Sequence, residues 1–577
     1  RGRIMYTDNK TVQIIIALLK SHGINKVVVS PGTTNFMFVA SVQSDSWFEL
    51  RSSADERSAA YIACGWAAET GEPVVISCTG ATASRNYMPA LTEAYYRKLP
   101  VLALTSINNS SLPGNNTPQV LDRSVIPNDI ARISVDITEA YDDTGYKKNI
   151  VLANKAILEL YRAGGGPVHI NLATKMTGAM NTKELPDVRT IHRFFSYDEL
   201  PGLDSFSKIG IFVGAHSKFT PKLTASIENF CEKYNAVVLC DHTSNYHGKY
   251  KILNALIDGQ EYLDRSSLTF DLMIDLGEVT GNYYLPVTKC TWRVCIDGEV
   301  KDRFGNLSCV FEMPEDYFFE FYNKLKSCEK QGLYNHYAEL DVSLRKRLPE
   351  IPFSNIWIAS QTASRIKEGS VLHLGILNSL RAWNFFPISE SVAVYSNVGG
   401  FGIDGPVSTL IGASFADPKK TYYGIVGDLA FFYDMNSIGN RYVGNNIRLI
   451  VVNNGKGTEF RNYSHPAAAL GDIADEYIAA ARHYGNKSSL LLKHYAEDLG
   501  FYYLSARSKD EYVKAIEDFF DEKIDGSIIF EVFTDSKDES DALYAIRTIV
   551  EQNAAKKAIK TALGEKNYQK LAKIIRG

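Results

Sequence analysis

The feature that most limits the fold of this chain is an alternation of short, apolar, β-rich runs with helical patterns. It recurs in three successive segments, for example at Lys26–Ser30, Ile209–Gly214 and Thr421–Val426. Strands that alternate with helices are typical of parallel sheets covered by helices. We therefore predict an α/β protein with three parallel-sheet domains, which a chain of 577 residues is long enough to form.

Two changes of composition mark the predicted domain boundaries. Leu185–Asp204 is polar and contains proline, and the charged stretch Arg345–Pro349 follows the second segment. The predicted domains cover residues 5–185, 205–345 and 353–540, and residues 541–577 form a predicted helical tail.

Composition excludes several classes of function. The net charge of −4 gives no basis for nucleic-acid binding. The eight cysteines form no CxxC pair, so neither a zinc site nor a disulfide framework is predicted. No stretch approaches the roughly 18 apolar residues of a membrane span, and the N-terminal residues lack an apolar signal core. We expect a reduced, cytoplasmic protein whose partners are small molecules.

Two polar groups lie at the ends of successive predicted strands in the third segment. Gly427-Asp428-Leu429 follows one apolar strand, and Asn453-Asn454 ends the next one. The carboxyl ends of parallel strands form the ligand-binding edge of an open sheet. Carboxylate, amide and backbone carbonyl oxygens are hard ligands that suit Mg²⁺. The glycine lets the backbone approach a diphosphate, and a helix that begins after Asp428 directs its amides toward that anion.

A plain structural interpretation is open for each part, because Gly-Asp is common in turns and Asn-Asn in loops. The spacing favours a ligand site, since Asp428 and Asn454 lie 454 − 428 = 26 positions apart across a strand–helix–strand unit. In this form the segment resembles the thiamine-diphosphate (ThDP)-binding motif, which starts at GDG and ends at NN. The resemblance implies that Asp428, the Asn454 side chain and the Lys456 carbonyl bind Mg²⁺, with Gly427 and Leu429 beside the cofactor.

A second motif lies far away, in the first segment. Asp55-Glu56-Arg57 opens a helix directly after a strand-like run. An acidic residue at a helix N-terminus is common, because the helix dipole favours it there. Beside the metal motif, however, Glu56 resembles the glutamate that ThDP enzymes use to hydrogen-bond the cofactor's aminopyrimidine ring and activate it. The resemblance implies a catalytic role for Glu56.

The resemblance extends over nearly the whole chain to one branch of that superfamily. This branch is the 2-succinyl-5-enolpyruvyl-6-hydroxy-3-cyclohexene-1-carboxylate (SEPHCHC) synthases of the menaquinone pathway. Shared traits are Ser30-Pro31-Gly32, Asn378-Ser379-Leu380, Gly402-Ile403-Asp404-Gly405, and Leu429 in place of the glycine that is the third residue of GDG. It implies three doubly wound parallel-sheet domains, which are pyrimidine-binding, central and diphosphate-binding. It also implies that Ser379 contacts the cofactor, that Ile403 bends it into a V shape, and that Gln119 faces the substrate.

The chain departs from this branch where the branch binds substrate carboxylates through arginines. Thr34, Val398 and Trp383 stand at three such positions, and Arg381 is displaced from the last of them by two residues. Unpaired carboxylates would cost on the order of 1–3 kcal/mol each. The departures imply a different and less anionic substrate.

One further group of substrate candidates follows the metal motif. The loop that contains Phe460, Arg461 and His465 lies near the substrate in this superfamily. A solvated loop is an equally good interpretation of these residues.

Together these features predict a ThDP- and Mg²⁺-dependent enzyme that decarboxylates a 2-oxo acid and then protonates the product or ligates it to an acceptor. Two alternatives remain: a true SEPHCHC synthase that consumes 2-oxoglutarate and isochorismate, and a non-catalytic ThDP-fold binding protein. A dehydrogenase is disfavoured because no strand is followed by a GxGxxG sequence. The resemblance implies a homodimer or homotetramer with active sites shared between chains, and no nucleic-acid or membrane partner.

Overall fold

The computed structural model describes residues 4–123, 125–174, 178–325, 332–482 and 488–551. The described residues up to Glu199, together with Asp297–Glu312, form one compact unit. Leu200–Ile296 and the described residues from Met313 onward form a second unit. The three predicted domain boundaries stay predictions, as does the helical tail, of which residues 552–577 lie outside the described part.

The first unit is built around a six-stranded parallel sheet with the order β3-β2-β4-β5-β7-β6. A short antiparallel pair joins β1 to β8. The strands are β1 (Tyr6–Thr7), β2 (Lys26–Val29), β3 (Glu49–Ser52), β4 (Val74–Thr79), β5 (Val101–Ile107), β6 (Ser134–Ile137), β7 (Val168–Ala173), β8 (Met180–Thr182) and β9 (His192–Phe195). The helices are α1 (Lys10–Ser21), α2 (Phe36–Ser44), α3 (Glu56–Thr70), α4 (Thr82–Asn86), α5 (Met88–Arg97) and α6 (Asp143–Glu159).

Helices cover both faces of this sheet. Val27 and Val29 of β2 belong to a core cluster with residues of α1, α2 and α6, whereas Val28 belongs to a second cluster with residues of α3 and α5. Successive residues of a strand point to opposite faces, so both faces of β2 are buried. Burial on both faces explains why a central strand such as β2 is a nearly continuous apolar run in the sequence.

A second parallel sheet contributes five strands to the second unit, in the order β12-β11-β10-β13-β14. These are β10 (Ile209–Val213), β11 (Ala236–Cys240), β12 (Lys251–Leu253), β13 (Leu272–Leu276) and β14 (Thr291–Cys295). The next strand, β15 (Leu307–Glu312), belongs to the first unit and pairs there with β9 in parallel. The helices of this stretch are α7 (Pro221–Tyr234), α8 (Ala255–Asp258) and α9 (Glu315–Lys324).

The third sheet, also in the second unit, has six parallel strands in the order β17-β16-β18-β19-β21-β20. The strands are β16 (Val371–Leu374), β17 (Ala393–Tyr395), β18 (Tyr422–Gly427), β19 (Ile447–Asn453), β20 (Tyr502–Ala506) and β21 (Ile528–Phe533). The helices are α10 (Leu333–Lys346), α11 (Asn355–Thr362), α12 (Asn378–Trp383), α13 (Pro406–Ser414), α14 (Asp428–Tyr433), α15 (Ile473–Tyr477), α16 (Leu491–Asp498), α17 (Lys509–Phe520) and α18 (Ser536–Arg547).

The first and third sheets follow the same topology. In each sheet, the strand that comes first in the chain lies between the strands that come second and third. The chain therefore continues to one side of this first strand and then crosses to the other side. Such a switch point opens a crevice at the carboxyl ends of the strands, where ligands bind in open α/β sheets. The predicted α/β fold class, with parallel sheets flanked by helices, is confirmed.

In the described part of the chain, no helix has the length and apolar character that a membrane crossing requires.

A buried histidine gives the first unit an expected sensitivity to acid. His169 on β7 is 5% exposed, and its two ring nitrogens lie 2.7 Å from the hydroxyls of Thr105 and Ser134. Burial lowers the pKa of His169 from 6.5 to about 3. The unfolded chain therefore takes up a proton that the folded chain rejects, and stability is lost as the pH falls from about 6.5 toward 3. Urea unfolding at a series of pH values measures this loss.

His169→Gln is expected to flatten this pH dependence, because glutamine does not titrate. His494 is exposed on α16, so His494→Gln serves as the matched control and should leave the dependence unchanged. An equally steep loss of stability in His169→Gln would contradict this account.

Candidate functional site

The switch point of the third sheet brings three predicted site residues to one edge. Ser379 lies in α12, just beyond β16, Asp428 directly follows β18, and Asn454 directly follows β19. Strand β18 lies between β16 and β19 in the sheet, so the three strand ends are neighbours. The amide of Gly455 donates to Asp428 Oδ2 over 2.9 Å, which ties the ends of β18 and β19 together. The structure thus brings Ser379, Asp428 and Asn454 to one edge of the sheet.

Asp428 is a buried carboxylate without a cation beside it in the described part of the chain. Its side chain is 4% exposed, and burial raises the pKa of Asp428 to about 7. Backbone amides, including those of Leu429 and Gly455, lower this pKa, whereas the charge of Glu531 raises it. A bound cation would favour the ionised form and offset the cost of burying it.

The sequence predicts a helix that begins after Asp428. In the structure, α14 begins at Asp428 itself and has only six residues.

Asn454 supplies a second oxygen that lacks a partner. Its Oδ1 atom is buried and accepts no hydrogen bond within the described residues, while its Nδ2 donates to Thr458 Oγ1 over 3.4 Å. A buried oxygen without a hydrogen-bond partner is uncommon in proteins, and a bound ion or water is a suitable partner for it. A buried carboxylate and an unpaired amide oxygen at one sheet edge fit the donor set of Mg²⁺.

The remaining predicted metal and cofactor residues surround this pair. The Lys456 ammonium is paired with Asp475 over 2.6 Å. An ammonium group has no lone pair, so the metal ligand that Lys456 can supply is its backbone carbonyl oxygen. A Cβ atom at Gly427 would meet no atom within 4 Å, which leaves the backbone beside Asp428 open to a ligand. Ile403 is partly buried against the core of the third sheet. Among the described residues there is no cluster of three His, Cys, Asp or Glu side chains that could hold another kind of metal.

Sequence reasoning missed a polar layer beneath Ser379. Glu539 on α18 is 6% exposed and accepts the Asn355 amide at 3.0 and 3.1 Å, and Asn355 Nδ2 donates to the Ser379 hydroxyl over 3.3 Å. Burial raises the pKa of Glu539 to about 7. The acidic run around Glu539 looks like a solvated helix face in the sequence. Glu539 precedes the buried Ala542, Leu543 and Ile546 by three, four and seven residues, which is the spacing of one helix face. This spacing is the signal from which its burial could have been predicted.

The positions where the family resemblance expects substrate arginines contain buried side chains in this unit. Trp383 is fully buried and Val398 is 5% exposed. Arg381 is 7% exposed and donates from Nη2 to Glu459 Oε1 over 2.8 Å. The two of these positions that lie in the second unit therefore carry no cation, and the displaced Arg381 is paired with Glu459.

The loop candidates are engaged with their own segment. Arg461 donates to Asp475 and Asp472, each over 3.0 Å. His465 Nδ1 accepts the amide of Ala467 over 3.1 Å, and its ring meets that of Phe460 edge to face, with centroids 5.2 Å apart. These contacts hold the loop in shape, and a substrate role for the three residues stays a prediction.

Two of the candidates in the first unit, Thr34 and Glu56, follow the neighbouring strands β2 and β3. Glu56 is the first residue of α3 and is partly buried, and Asp55 caps that helix by accepting the amides of Arg57 and Ser58. Thr34 lies beyond β2, where its hydroxyl is 2.5 Å from that of Thr79 on β4. Gln119 is exposed in the stretch that follows β5 and has a φ of 63°. The roles of these residues stay predictions.

Comparison with known proteins gives these features a context. Residues 9–126 match the family "Thiamine pyrophosphate enzyme, N-terminal TPP binding domain". The 2-succinyl-5-enolpyruvyl-6-hydroxy-3-cyclohexene-1-carboxylate (SEPHCHC) synthase of Bacteroides thetaiotaomicron is 29% identical over 562 residues, which cover 93% of this chain and 98% of that protein. The enzyme of the same name from Flavobacterium psychrophilum is 28% identical over 560 residues, or 92% and 98% of the two chains.

The thiamine diphosphate-dependent 4-hydroxybenzoylformate decarboxylase of Rhodococcus jostii RHA1 aligns with a TM-score of 0.40 and 17% identity, over 91% of this chain and 99% of that one. A score this low says nothing further about the chain. The family match and the similarity over most of the sequence, however, support the assignment of the chain to the thiamine-diphosphate-dependent enzyme superfamily, near the SEPHCHC synthases.

Proposed function

We propose that the chain is a ThDP- and Mg²⁺-dependent enzyme that decarboxylates a 2-oxo acid and then protonates the product or ligates it to an acceptor. The observation that carries the proposal is the buried Asp428 carboxylate beside the unpaired Asn454 oxygen at a switch point. The family match in the first unit supports the cofactor. A binding protein without turnover would have no need of Glu56 in addition to the metal residues.

Each predicted residue has a distinct part in this proposal. Asp428, Asn454 and the Lys456 carbonyl hold the metal that anchors the cofactor diphosphate, while Gly427, Leu429, Ser379 and Ile403 contact the cofactor. Glu56 hydrogen-bonds the aminopyrimidine ring, and Gln119 faces the substrate. When bound, ThDP supplies an electron sink for the electron pair that is released as CO₂ leaves.

We also propose that the functional assembly is a homodimer or homotetramer. Tyr61 and Ile62, each 45% exposed, lie on the same helix as Glu56 and give that helix an apolar surface. Light scattering of the purified chain measures the assembly directly.

A true SEPHCHC synthase is the second candidate, because the similarity to proteins of that name covers almost the full chain. It would consume 2-oxoglutarate and isochorismate. The first candidate is favoured by the buried Trp383 and Val398 and by the pairing of Arg381 with Glu459. These residues supply no free cation to bind the carboxylates of a dicarboxylic substrate.

The test is CO₂ release from a panel of 2-oxo acids that includes 2-oxoglutarate with and without isochorismate. We expect release that requires both ThDP and Mg²⁺ and stops when EDTA removes the metal. Release only from 2-oxoglutarate in the presence of isochorismate would establish the second candidate instead. Failure of the chain to bind ThDP would exclude both.

A further inference from the structure

Arg381 is a buried cation that the protein itself neutralises. It lies on α12, where its guanidinium carbon is 3.9 Å from the centre of the Tyr283 ring. Its Nη2 atom donates to Glu459 Oε1 over 2.8 Å. The Glu459 side chain is 18% exposed and that of Arg381 is 8% exposed, so the carboxylate lies on the solvent side of the pair. Glu459 is therefore the more exposed member of the pair.

Glu459 is held in this position by further hydrogen bonds. The side-chain amide of Asn378 donates to Glu459 Oε2 over 2.9 Å, and that of Asn462 donates to the same oxygen over 3.2 Å. The Asn378 carbonyl oxygen accepts the Thr458 hydroxyl over 2.6 Å, and Thr458 in turn accepts the side chain of Asn454. The Arg381–Glu459 pair is thus linked by hydrogen bonds to the proposed metal site.

This arrangement has a consequence for any anionic ligand. Arginine pairs strongly with carboxylates, and a buried arginine without a partner is costly. A second carboxylate on a substrate that pairs with the Nη2 atom of Arg381 would have to displace Glu459 from it. The displaced Glu459 would then remain buried in part, without its partner and close to a like charge. A negative group already in place is a common means of rejecting the wrong ligand.

We propose that Glu459 is a built-in counter-ion of Arg381 and restricts the site to 2-oxo acids that carry no second carboxylate. The inference rests on the proposed function, and it names both the substrate class and the residue that sets it. Glu459 occupies the position beside Arg381 Nη2 that the second carboxylate of a dicarboxylic substrate would take. The group beyond the 2-oxo acid therefore carries no carboxylate.

The test is Glu459→Gln, which keeps the size of the side chain and removes its charge. The two matched substrates are 2-oxoglutarate and 2-oxopentanoate, which differ by one carboxylate. We expect the ratio of kcat/KM for 2-oxoglutarate to that for 2-oxopentanoate to rise about tenfold or more in the variant, because Arg381 gains a new partner. Calorimetry with glutarate and pentanoate, which lack the 2-oxo group, measures the same preference without turnover.

Two further variants serve as controls. Glu459→Asp keeps the charge and should keep the exclusion of 2-oxoglutarate. Arg381→Met combined with Glu459→Gln should lose the gain, because the cation that receives the carboxylate is gone. A purely structural ion pair would change stability in these variants but would not change the preference between the two acids.

The outcomes separate the inference from the proposed function. Improved glutarate binding by Glu459→Gln supports the inference even if no 2-oxo acid releases CO₂, and the absence of CO₂ then counts against the proposed function alone. An unchanged preference in a variant whose circular dichroism matches that of the unmodified chain overturns the inference. If Glu459→Gln does not fold, the unmodified chain decides: preference for pentanoate over glutarate supports the inference, and tighter binding of glutarate overturns it.

Discussion

Glu56→Gln is expected to lower the rate of CO₂ release by about 10²–10⁴-fold, the usual effect of removing a group that moves a proton in the transition state. The amide has the size of the carboxyl group but cannot exchange a proton with the aminopyrimidine ring. The helix should persist, because its cap is formed by Asp55 and not by Glu56. The rate is measured at saturating ThDP and Mg²⁺, with the substrate that the panel identifies.

ThDP affinity and the unfolding temperature of Glu56→Gln should stay near those of the unmodified chain, which separates a catalytic effect from a folding defect. Glu69 lies on the same helix and is exposed, so Glu69→Gln is the matched control and should retain full activity. Full activity in Glu56→Gln would remove this residue from the mechanism.

Asp428→Asn is expected to weaken Mg²⁺ binding by about 100-fold or more, since even partners outside the first coordination sphere are worth 10–100-fold. ThDP binding should fall with it, because the metal anchors the diphosphate. The metal-free variant should be as stable as the unmodified chain near pH 7, or more stable. Burial raises the pKa of Asp428 to about 7, so the folded chain loses stability as this group ionises with rising pH, and asparagine cannot ionise.

Mg²⁺ titrations of ThDP binding and thermal unfolding without metal measure the two effects separately. Asp434 provides the matched control because it is similarly buried, at 5% exposure, and lies just past the end of α14. It accepts the amide and hydroxyl of Ser408, so Asp434→Asn should lower stability and leave Mg²⁺ affinity unchanged. Unaltered Mg²⁺ affinity in Asp428→Asn would refute the proposed metal site.

Much of the fold could be predicted from local pattern. Runs such as Tyr422–Gly427 and Ile447–Asn453 are mostly apolar and are buried along nearly their whole length, because helices cover both faces of a parallel sheet. The sequence did not reveal that β15 pairs with β9, because that contact joins residues more than 100 positions apart and leaves no periodic signal. The shared topology of the first and third sheets was suggested by similar segments, but strand order itself depends on such distant pairings.

Some features of the candidate site could likewise be predicted from the sequence, and others could not. The sequence by itself determined that Asp428 and Asn454 follow successive strands, and parallel strands must bring their carboxyl ends to one edge. Only the tertiary structure decided that Glu539 lies beneath Ser379 and that Arg381 is neutralised by Glu459. The reason is physical: which charged side chains meet depends on the packing of helices and loops far apart in the chain, and local sequence does not encode that packing.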